Sequence, residues 1–206
     1  MGRQPDRSDV IANRLAVQPV PGLPEISLCT AHPGSGLTQL TDSPPYWAYV
    51  WAGGAALARH VLCWPDLVRG RTVLDLGAGS GVVGIAAAIA GAAEVLAVEP
   101  DRWGQAAVLG NAALNGVAVR LVSLDPLPAV DLVLCGDVFY SAEVAAEMLP
   151  VLDRFRAKGA RVLVGDPGRA DLPTDRLTLC AEYDVRDMGD GPGVVRRAGV
   201  YDYEPE

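Results

Sequence analysis

The chain has 206 residues, half of them apolar, which is enough for one substantial core and too few for a second catalytic domain of ordinary size. Its net charge of −8 disfavours a nucleic-acid substrate, because phosphate binding needs clustered Lys and Arg. Four scattered cysteines and two isolated histidines indicate neither a disulfide framework nor a metal site.

The N-terminal part of the chain is rich in Pro, Gly and polar residues. We predict a loose or lid-like extension over 1–40, with one short strand at 25–28, followed by a folded domain over 41–206. The extension lacks the apolar core of a signal peptide, and its acidic residues argue against a transit peptide. The most apolar stretch, 82–98, is broken by glycine and glutamate, so we expect no membrane span and a cytoplasmic location.

A helix is predicted over 53–63, where apolar residues recur at helical spacing before a Trp-Pro stop. Apolar runs typical of strands then alternate with helical segments, which predicts a parallel sheet covered on both faces. The last two runs have no helix between them and predict an antiparallel hairpin at one edge of the sheet. The predicted strands begin at 72 and then cover 95–99, 119–123, 131–135, 161–165, 177–185 and 194–203, and the intervening helices begin near 82 and cover 101–115 and about 142–157.

The first strand of this series runs into three alternate glycines, Gly77, Gly79 and Gly81, and then into an Ala-rich helix. Glycines let the backbone turn sharply and approach a ligand closely, and the helix start offers unpaired N–H groups. The next strand ends in Glu99, where an acid can grip a ribose diol. Together these features predict a nucleotide-type cofactor.

The residues alone are compatible with two different glycine motifs in this stretch. The stretch 79–84 satisfies the dinucleotide pattern G-x-G-x-x-G, but that register leaves Gly77 without a purpose and Asp75 as an acid inside a strand. The other register uses all of these residues, because an acid two positions before G-x-G-x-G resembles the class I S-adenosylmethionine-dependent methyltransferases. That resemblance implies S-adenosylmethionine as cofactor, S-adenosylhomocysteine as product, and cofactor contacts from Asp75, Gly77, Gly79, Gly81 and Glu99.

Further acids follow the other predicted strands. Ligands of doubly wound sheets lie beyond the carboxyl ends of the strands, and these ends also carry Asp125, Asp137 and Asp166. Asp125 is a candidate partner of an adenine amino group, or equally a surface residue of a Pro-containing loop. Asp137 would stand near the reactive methyl group, or would cap the following helix, a task that Ser141 could also perform.

Three further segments narrow the resemblance. The sequences PYWAYVWAGG at 45–54, GDVFY at 136–140 and VGDPGR at 164–169 resemble those of the electron transfer flavoprotein beta-subunit lysine methyltransferases. Two departures are Ala52, where that family commonly has Pro, and Glu99, where it has an Asp-rich strand end. The resemblance implies an α/β fold, with a Rossmann-like, doubly wound sheet of seven mostly parallel strands and a C-terminal antiparallel hairpin.

The same resemblance implies a protein-lysine N-methyltransferase acting on the beta subunit of electron transfer flavoprotein. In this interpretation Asp137 and Tyr140 are catalytic, with Asp137 accepting an N–H of the target amine, and Trp51 helps to hold the cofactor. Nearby aromatic rings would desolvate the amine, lower its pKa and bind a methylated ammonium by cation–π attraction. The implied substrate-binding residues are Trp47, Phe139, Asp166 and Arg169.

Other functions are compatible with the same residues. The aromatic run could pack the N-terminal segment onto the sheet, and Asp166 with Arg169 could form a salt-linked turn. The nearest alternative is a methyltransferase acting on a ribosomal protein or a small amine metabolite, followed by a cofactor-binding module without catalysis. The prediction therefore includes a protein partner, no nucleic acid, no membrane and no metal, and it leaves the oligomeric state open.

Overall fold

The computed structural model describes residues 7–37, 44–187 and 194–205. Within these ranges the chain forms a seven-stranded sheet flanked by helices and a separate two-stranded sheet. The helices are α1 (Arg7–Arg14), α2 (Ala52–Cys63), α3 (Val82–Ile89), α4 (Arg102–Leu114) and α5 (Ala142–Ala157). The strands are β1 (Ala16–Val20), β2 (Leu23–Thr30), β3 (Thr72–Leu76), β4 (Glu94–Val98), β5 (Arg120–Leu121), β6 (Leu132–Gly136), β7 (Arg161–Asp166), β8 (Leu177–Val185) and β9 (Arg196–Tyr203).

The large sheet has the strand order β5-β4-β3-β6-β7-β9-β8. Its first five strands are parallel, β9 is antiparallel to β7, and β8 pairs antiparallel with β9 at the edge. This confirms the doubly wound, Rossmann-like α/β sheet and the terminal hairpin, although β5 is shorter than the predicted strand 119–123. The glycine-rich connection between β8 and β9 lies outside the described residues.

Both faces of the sheet are covered by helices. Leu57 of α2 and Ile85 of α3 pack with Leu134 on one face, while Phe155 of α5 packs with Val133 on the other. Because the central strands are buried on both sides, they are apolar almost throughout rather than alternating. The polar residues that follow these strands are therefore gathered at the ends of the sheet.

The N-terminal segment contains more regular structure than predicted. Where one strand at 25–28 was expected, α1 precedes a hairpin of β1 and β2. Ile11 and Leu15 bury their side chains in a small cluster that includes Trp47 and Ala107. The described part of the extension is thus folded rather than loose, and its role as a lid and the boundary near residue 40 stay predictions.

The start of α2 lies in backbone contact with the sheet. A Cβ atom added to Gly53 would collide with the carbonyl oxygen of Gly165, and one added to Gly165 would collide with that of Gly53. A Cβ on Gly136 would lie 2.7 Å from the Cα atom of Gly54. Only glycine permits this approach, which brings together the three segments on which the narrower resemblance rests.

The substitution Gly165→Ala tests this contact. We expect it to lower the free energy of unfolding by about 3 kcal/mol, because the added methyl group meets a backbone carbonyl that cannot move without displacing α2. Gly110→Ala is a matched control, since Gly110 is exposed on α4 and nothing lies within 4 Å of an added Cβ. The control should be neutral or stabilising by up to about 1 kcal/mol. Equal urea midpoints for the two variants would contradict the close contact.

Candidate active site

The three alternate glycines form a sharp bend between β3 and α3. Gly77, Gly79 and Gly81 have φ angles of +73°, +53° and +81°, a region that L side chains rarely adopt. A Cβ on Gly81 would also lie 3.3 Å from the Cα atom of Val108, so α4 packs directly against the bend. The predicted glycine bend is therefore present, and each of its glycines has a conformational reason to be glycine.

Asp75 supports this bend from inside the sheet. Its buried Oδ2 atom accepts a 2.8 Å hydrogen bond from the backbone N–H of Gly84, in the first turn of α3. Burial raises the pKa of Asp75 to about 7, the Gly84 N–H opposes this shift, and the charge of Glu99 adds to it. Asp75 therefore fixes the bend through the backbone, and its predicted contact with a cofactor stays a prediction.

Glu99 joins the glycine bend to the start of α4. Its Oε2 atom accepts a 2.7 Å hydrogen bond from Gly79 N–H, and its Oε1 atom accepts a 2.9 Å bond from Asp101 N–H. Burial raises the pKa of Glu99, against the effect of these two amides. Asp101 in turn accepts a hydrogen bond from Trp103 N–H and caps α4. Glu99 thus lies beside the bend, where the sequence placed it.

Sequence reasoning missed Asn111, which is completely buried in α4. Its Nδ2 atom donates to the carbonyl oxygen of Ser80 in the bend at 2.9 Å, and its Oδ1 atom accepts from Cys29 N–H of β2 at 2.8 Å. Asn115, one turn later, makes reciprocal hydrogen bonds with the backbone of Ser27. Two asparagines four residues apart in an Ala-rich helix were the available signal.

Asp137 directly follows β6 in a strained conformation. It is 8% exposed, and its φ of +59° lies in the left-handed region, unusual for a residue other than glycine. Its Oδ2 atom accepts a 2.6 Å hydrogen bond from Gly54 N–H, at the start of α2, whose own N-cap residue Trp51 supplies no side-chain cap. Because Ser141 caps α5, the capping alternative for Asp137 is wrong for that helix.

Arg169 links Asp137 to Asp166. Its Nη1 atom forms a short ion pair with Asp137 Oδ1 and lies 3.2 Å from Asp166 Oδ2. Asp166 Oδ1 also accepts hydrogen bonds from the N–H groups of Gly168 and Arg169, at 2.7 and 2.8 Å. The salt-linked turn is therefore present, and Asp166 is fully buried beneath Arg169. Direct contact between Asp166 and a substrate stays a prediction.

Four aromatic side chains, Tyr46, Tyr49, Trp51 and Tyr140, form a cluster that we call the aromatic mouth. The ring of Tyr46 lies 5.7 Å from that of Trp51 and 5.9 Å from that of Tyr140, and the rings of Tyr49 and Trp51 are 5.9 Å apart. Trp51 Nε1 donates to the carbonyl oxygen of Tyr46. Tyr46 and Tyr140 are about half exposed, so the cluster offers ring faces to solvent.

Two other aromatic candidates are buried. Phe139 lies in the core formed with α5, and its contact with a substrate stays a prediction. Trp47 is 3% exposed and stacks on Trp103, with ring centroids 6.1 Å apart. Its Cα atom lies 4.0 Å from the position of a Cβ on Gly79, which places Trp47 beside the glycine bend. Its indole N–H is buried and has no hydrogen-bond partner in the described part of the chain.

The remaining candidates are peripheral to this site. Asp125 is exposed in the loop after β5, where its N–H donates to Ser123 Oγ, and its adenine contact stays a prediction. Over 7–37, 44–187 and 194–205, no cluster of His, Cys, Asp and Glu is arranged to hold a metal. Among the helices of those same ranges, none has the length and apolarity needed to cross a membrane.

Comparison with known proteins identifies the family of the chain. The PrmA family model, described as ribosomal protein L11 methyltransferase, matches residues 65–164. The electron transfer flavoprotein beta subunit lysine methyltransferase of Rattus norvegicus is 38% identical over 182 residues, which cover 79% of this chain and 68% of that protein. The Mus musculus protein of the same name is 41% identical over 140 residues, covering 62% of this chain and 52% of that protein.

Solved structures agree with the fold. The ribosomal protein L11 methylase of Lactobacillus delbrueckii subsp. bulgaricus superposes with a TM-score of 0.53 at 24% identity, over 73% of this chain and 77% of that one. The sheet order and the glycine bend define a class I methyltransferase. More narrowly, the chain belongs to the electron transfer flavoprotein beta subunit lysine methyltransferase family. It spans about half to two thirds of the length of these relatives.

The burial of Asp75 predicts a pH-dependent stability. Its ordinary pKa of 3.8 applies in the unfolded chain, and the folded value is about 7, so the folded state keeps a proton that the unfolded state has lost between these values. The free energy of unfolding should therefore fall as the pH rises through this window. The loss is on the order of 4 kcal/mol for about three pKa units.

Asp75→Asn removes this titration while its amide oxygen can still accept from Gly84 N–H. In urea unfolding between pH 4.5 and 8, the variant should gain stability relative to the wild type as the pH rises. Asp66→Asn, at an exposed acid paired with Arg69, is the control and should follow the wild-type curve. Parallel curves for Asp75→Asn and the wild type would show that the buried acid does not titrate as described.

Proposed function

We propose that this chain transfers the methyl group of S-adenosylmethionine to a lysine amine, and that its protein substrate is the beta subunit of electron transfer flavoprotein. The observation that carries this proposal is the contact between the two halves of the site. A Cβ on Gly77 of the bend would lie 3.1 Å from Val138, the residue after Asp137. A ligand over the bend and an amine at Asp137 would therefore be neighbours.

The residues around the bend fit S-adenosylmethionine. The left-handed glycines leave backbone surface free of side chains, and Glu99 offers a carboxylate beside Gly79. The unpartnered indole N–H of Trp47 is a buried donor that a polar ligand would satisfy. When bound, S-adenosylmethionine supplies a methyl group on a sulfonium, which an amine lone pair takes while the sulfur keeps the bonding electrons as S-adenosylhomocysteine.

The acceptor half of the site orients and desolvates the amine. Asp137 is fixed by Gly54 N–H and can accept an N–H of the amine, which aims the nitrogen lone pair away from the carboxylate. Tyr46, Tyr140 and Trp51 of the aromatic mouth desolvate the amine, and the proton it loses passes to water outside the mouth. Alignment carries most of the rate in such a reaction. The same rings can hold a methylated ammonium by cation–π attraction.

The degree of the two family likenesses favours the flavoprotein substrate over a ribosomal one. The ribosomal protein methyltransferase model matches 65–164, which includes the glycine bend and Asp137 but neither the aromatic mouth segment 46–51 nor Arg169. Relatives named for the flavoprotein substrate are 38% and 41% identical to this chain, against 35% and 34% for relatives named for ribosomal protein L11. Methylation of a ribosomal protein is the second candidate function.

A cytoplasmic location of the protein stays a prediction.

Labelled methyl transfer tests the proposal. With tritiated S-adenosylmethionine, the purified chain should label the purified beta subunit of electron transfer flavoprotein on lysine. Asp137→Asn should reduce this transfer by about 100-fold, because the amide orients an amine poorly while still accepting from Gly54 N–H. Its affinity for S-adenosylmethionine should stay within about threefold of the wild type. Label found only in a ribosomal protein or in the low-mass fraction would contradict the assigned substrate.

Trp47→Phe tests the orphan indole donor. Phenylalanine keeps an aromatic ring against Trp103 but cannot donate, so the dissociation constant of S-adenosylmethionine should rise about fivefold, which corresponds to about 1 kcal/mol for a hydrogen bond. Trp64→Phe is the matched control, because Trp64 is exposed beyond the other end of α2. Calorimetric titration measures both variants. An unchanged dissociation constant for Trp47→Phe would show that its N–H does not reach the cofactor.

A further inference from the structure

We propose that Arg169 is a positioning residue that offsets part of the negative charge at Asp137, so that the acceptor lysine loses its proton in the site more readily and binds as a neutral amine. This inference rests on the proposed function. Only a neutral amine has the lone pair that methyl transfer requires. A carboxylate standing alone would stabilise the charged form of a nearby lysine and thereby oppose the reaction.

The two oxygens of Asp137 have different partners: one contact fixes the carboxylate in place, and the other offsets its charge. Its Oδ2 atom is taken by Gly54 N–H, which fixes the carboxylate in place. Its Oδ1 atom pairs with the guanidinium of Arg169. Each carboxylate oxygen has two acceptor sites, so an amine N–H can still bind while the negative charge is already offset. Arg169 therefore lets Asp137 act as a hydrogen-bond acceptor without acting as a strong counter-ion.

Burial makes this compensation effective. Asp137 is 8% exposed, Asp166 is fully buried, and the Arg169 side chain is 23% exposed. Charges in such surroundings are screened less than charges on the surface, so a cation in contact acts strongly on its partner. Burial raises the pKa of Asp137, and the guanidinium of Arg169 is the largest influence in the opposite direction.

Asp166 holds the guanidinium in position. Its Oδ1 atom closes the turn through the N–H groups of Gly168 and Arg169, while its Oδ2 atom faces the same Nη1 atom that contacts Asp137. The guanidinium is therefore held by both Asp137 and Asp166, and it leaves free the acceptor position of Asp137 that the amine would use. With two acids and one arginine in contact, the arrangement has a net charge of −1, and loss of the guanidinium would make it −2.

Other titratable groups lie near these three residues, and they are tyrosines and glutamates, which carry no positive charge. Burial, then the charges of Asp166 and Glu182, raise the pKa of Tyr201 in β9. Burial, then Tyr46, Glu99 and Glu147, raise the pKa of Tyr140 at the mouth. Each of these groups is neutral when protonated and negative when deprotonated. Among the described residues that act on Asp137, Arg169 is the cation. Removal of its charge would leave the incoming lysine in a more negative environment.

The pH dependence of kcat distinguishes this role from a structural one. In Arg169→Gln the bound lysine should keep its proton to higher pH, so the rising limb of the kcat profile should move up by about one unit. At pH 7.5 this shift corresponds to about a tenfold loss of kcat, and kcat should recover towards the wild-type value near pH 10. KM should not increase, because an uncompensated Asp137 attracts the ammonium form.

Three further variants complete the experiment. Arg169→Lys keeps the charge and should keep the wild-type limb, while Arg169→Met provides a second neutral side chain if Arg169→Gln does not fold. Arg69→Gln is the control, because Arg69 forms an exposed ion pair with Asp66 at the opposite end of β3. A substrate carrying a lysine analogue whose amine has a lower pKa should reduce the defect of Arg169→Gln.

Two outcomes would overturn the inference. One is a kcat loss in the neutral variants that is equal at all pH values, and the other is a raised KM with an unchanged pH limb. Either would make Arg169 a purely structural residue. These outcomes are distinguishable from failure of the proposed function, in which the wild-type chain would transfer no methyl group to any lysine of the protein substrate.

Discussion

The architecture of the site depends on one backbone contact. Gly53 and Gly54 at the start of α2 lie directly against Gly136 and Gly165 of the sheet, closer than any side chain would allow. This approach puts the unpaired N–H groups of α2 within reach of Asp137, which takes the capping role that Trp51 leaves open. The positive end of a helix favours a carboxylate there. A larger residue at Gly53, Gly136 or Gly165 would separate the helix from the acid that its start holds.

The same contact joins the acceptor half of the site to the glycine bend. Because Asp137 turns in the left-handed region, the next residue, Val138, packs beneath Gly77. The bend is then tied from two other directions, by Glu99 on Gly79 N–H and by Asn111 on Ser80. Each tie uses a backbone atom of the bend. These contacts fix the conformation of the loop. Because its glycines carry no side chains, their backbone stays accessible to a ligand.

Sequence patterns predicted the sheet and its helices because burial on both faces leaves long apolar runs, and α5 spans the predicted 142–157. The folded N-terminal segment was missed, since Ile11 and Leu15 become buried only through distant partners such as Trp47. The motif at 136–140 could not show that Phe139 faces the core and Tyr140 faces solvent. That division is set by the left-handed turn at Asp137, which resets the direction of the residues after β6.

The electrostatics of the site follow from how each acid is compensated. Burial raises the pKa of Asp75, Glu99 and Asp137 alike, and backbone N–H groups oppose the shift in every case. Of the three, Asp137 also has a guanidinium in contact with it, and it lies where the proposed cationic substrate would arrive. Backbone N–H groups are enough to stabilise Asp75 and Glu99, which fix the conformation of the backbone around them. In the role proposed for Asp137, a positive charge in contact lowers the tendency of the acid to hold the proton of a lysine, and Arg169 supplies that charge.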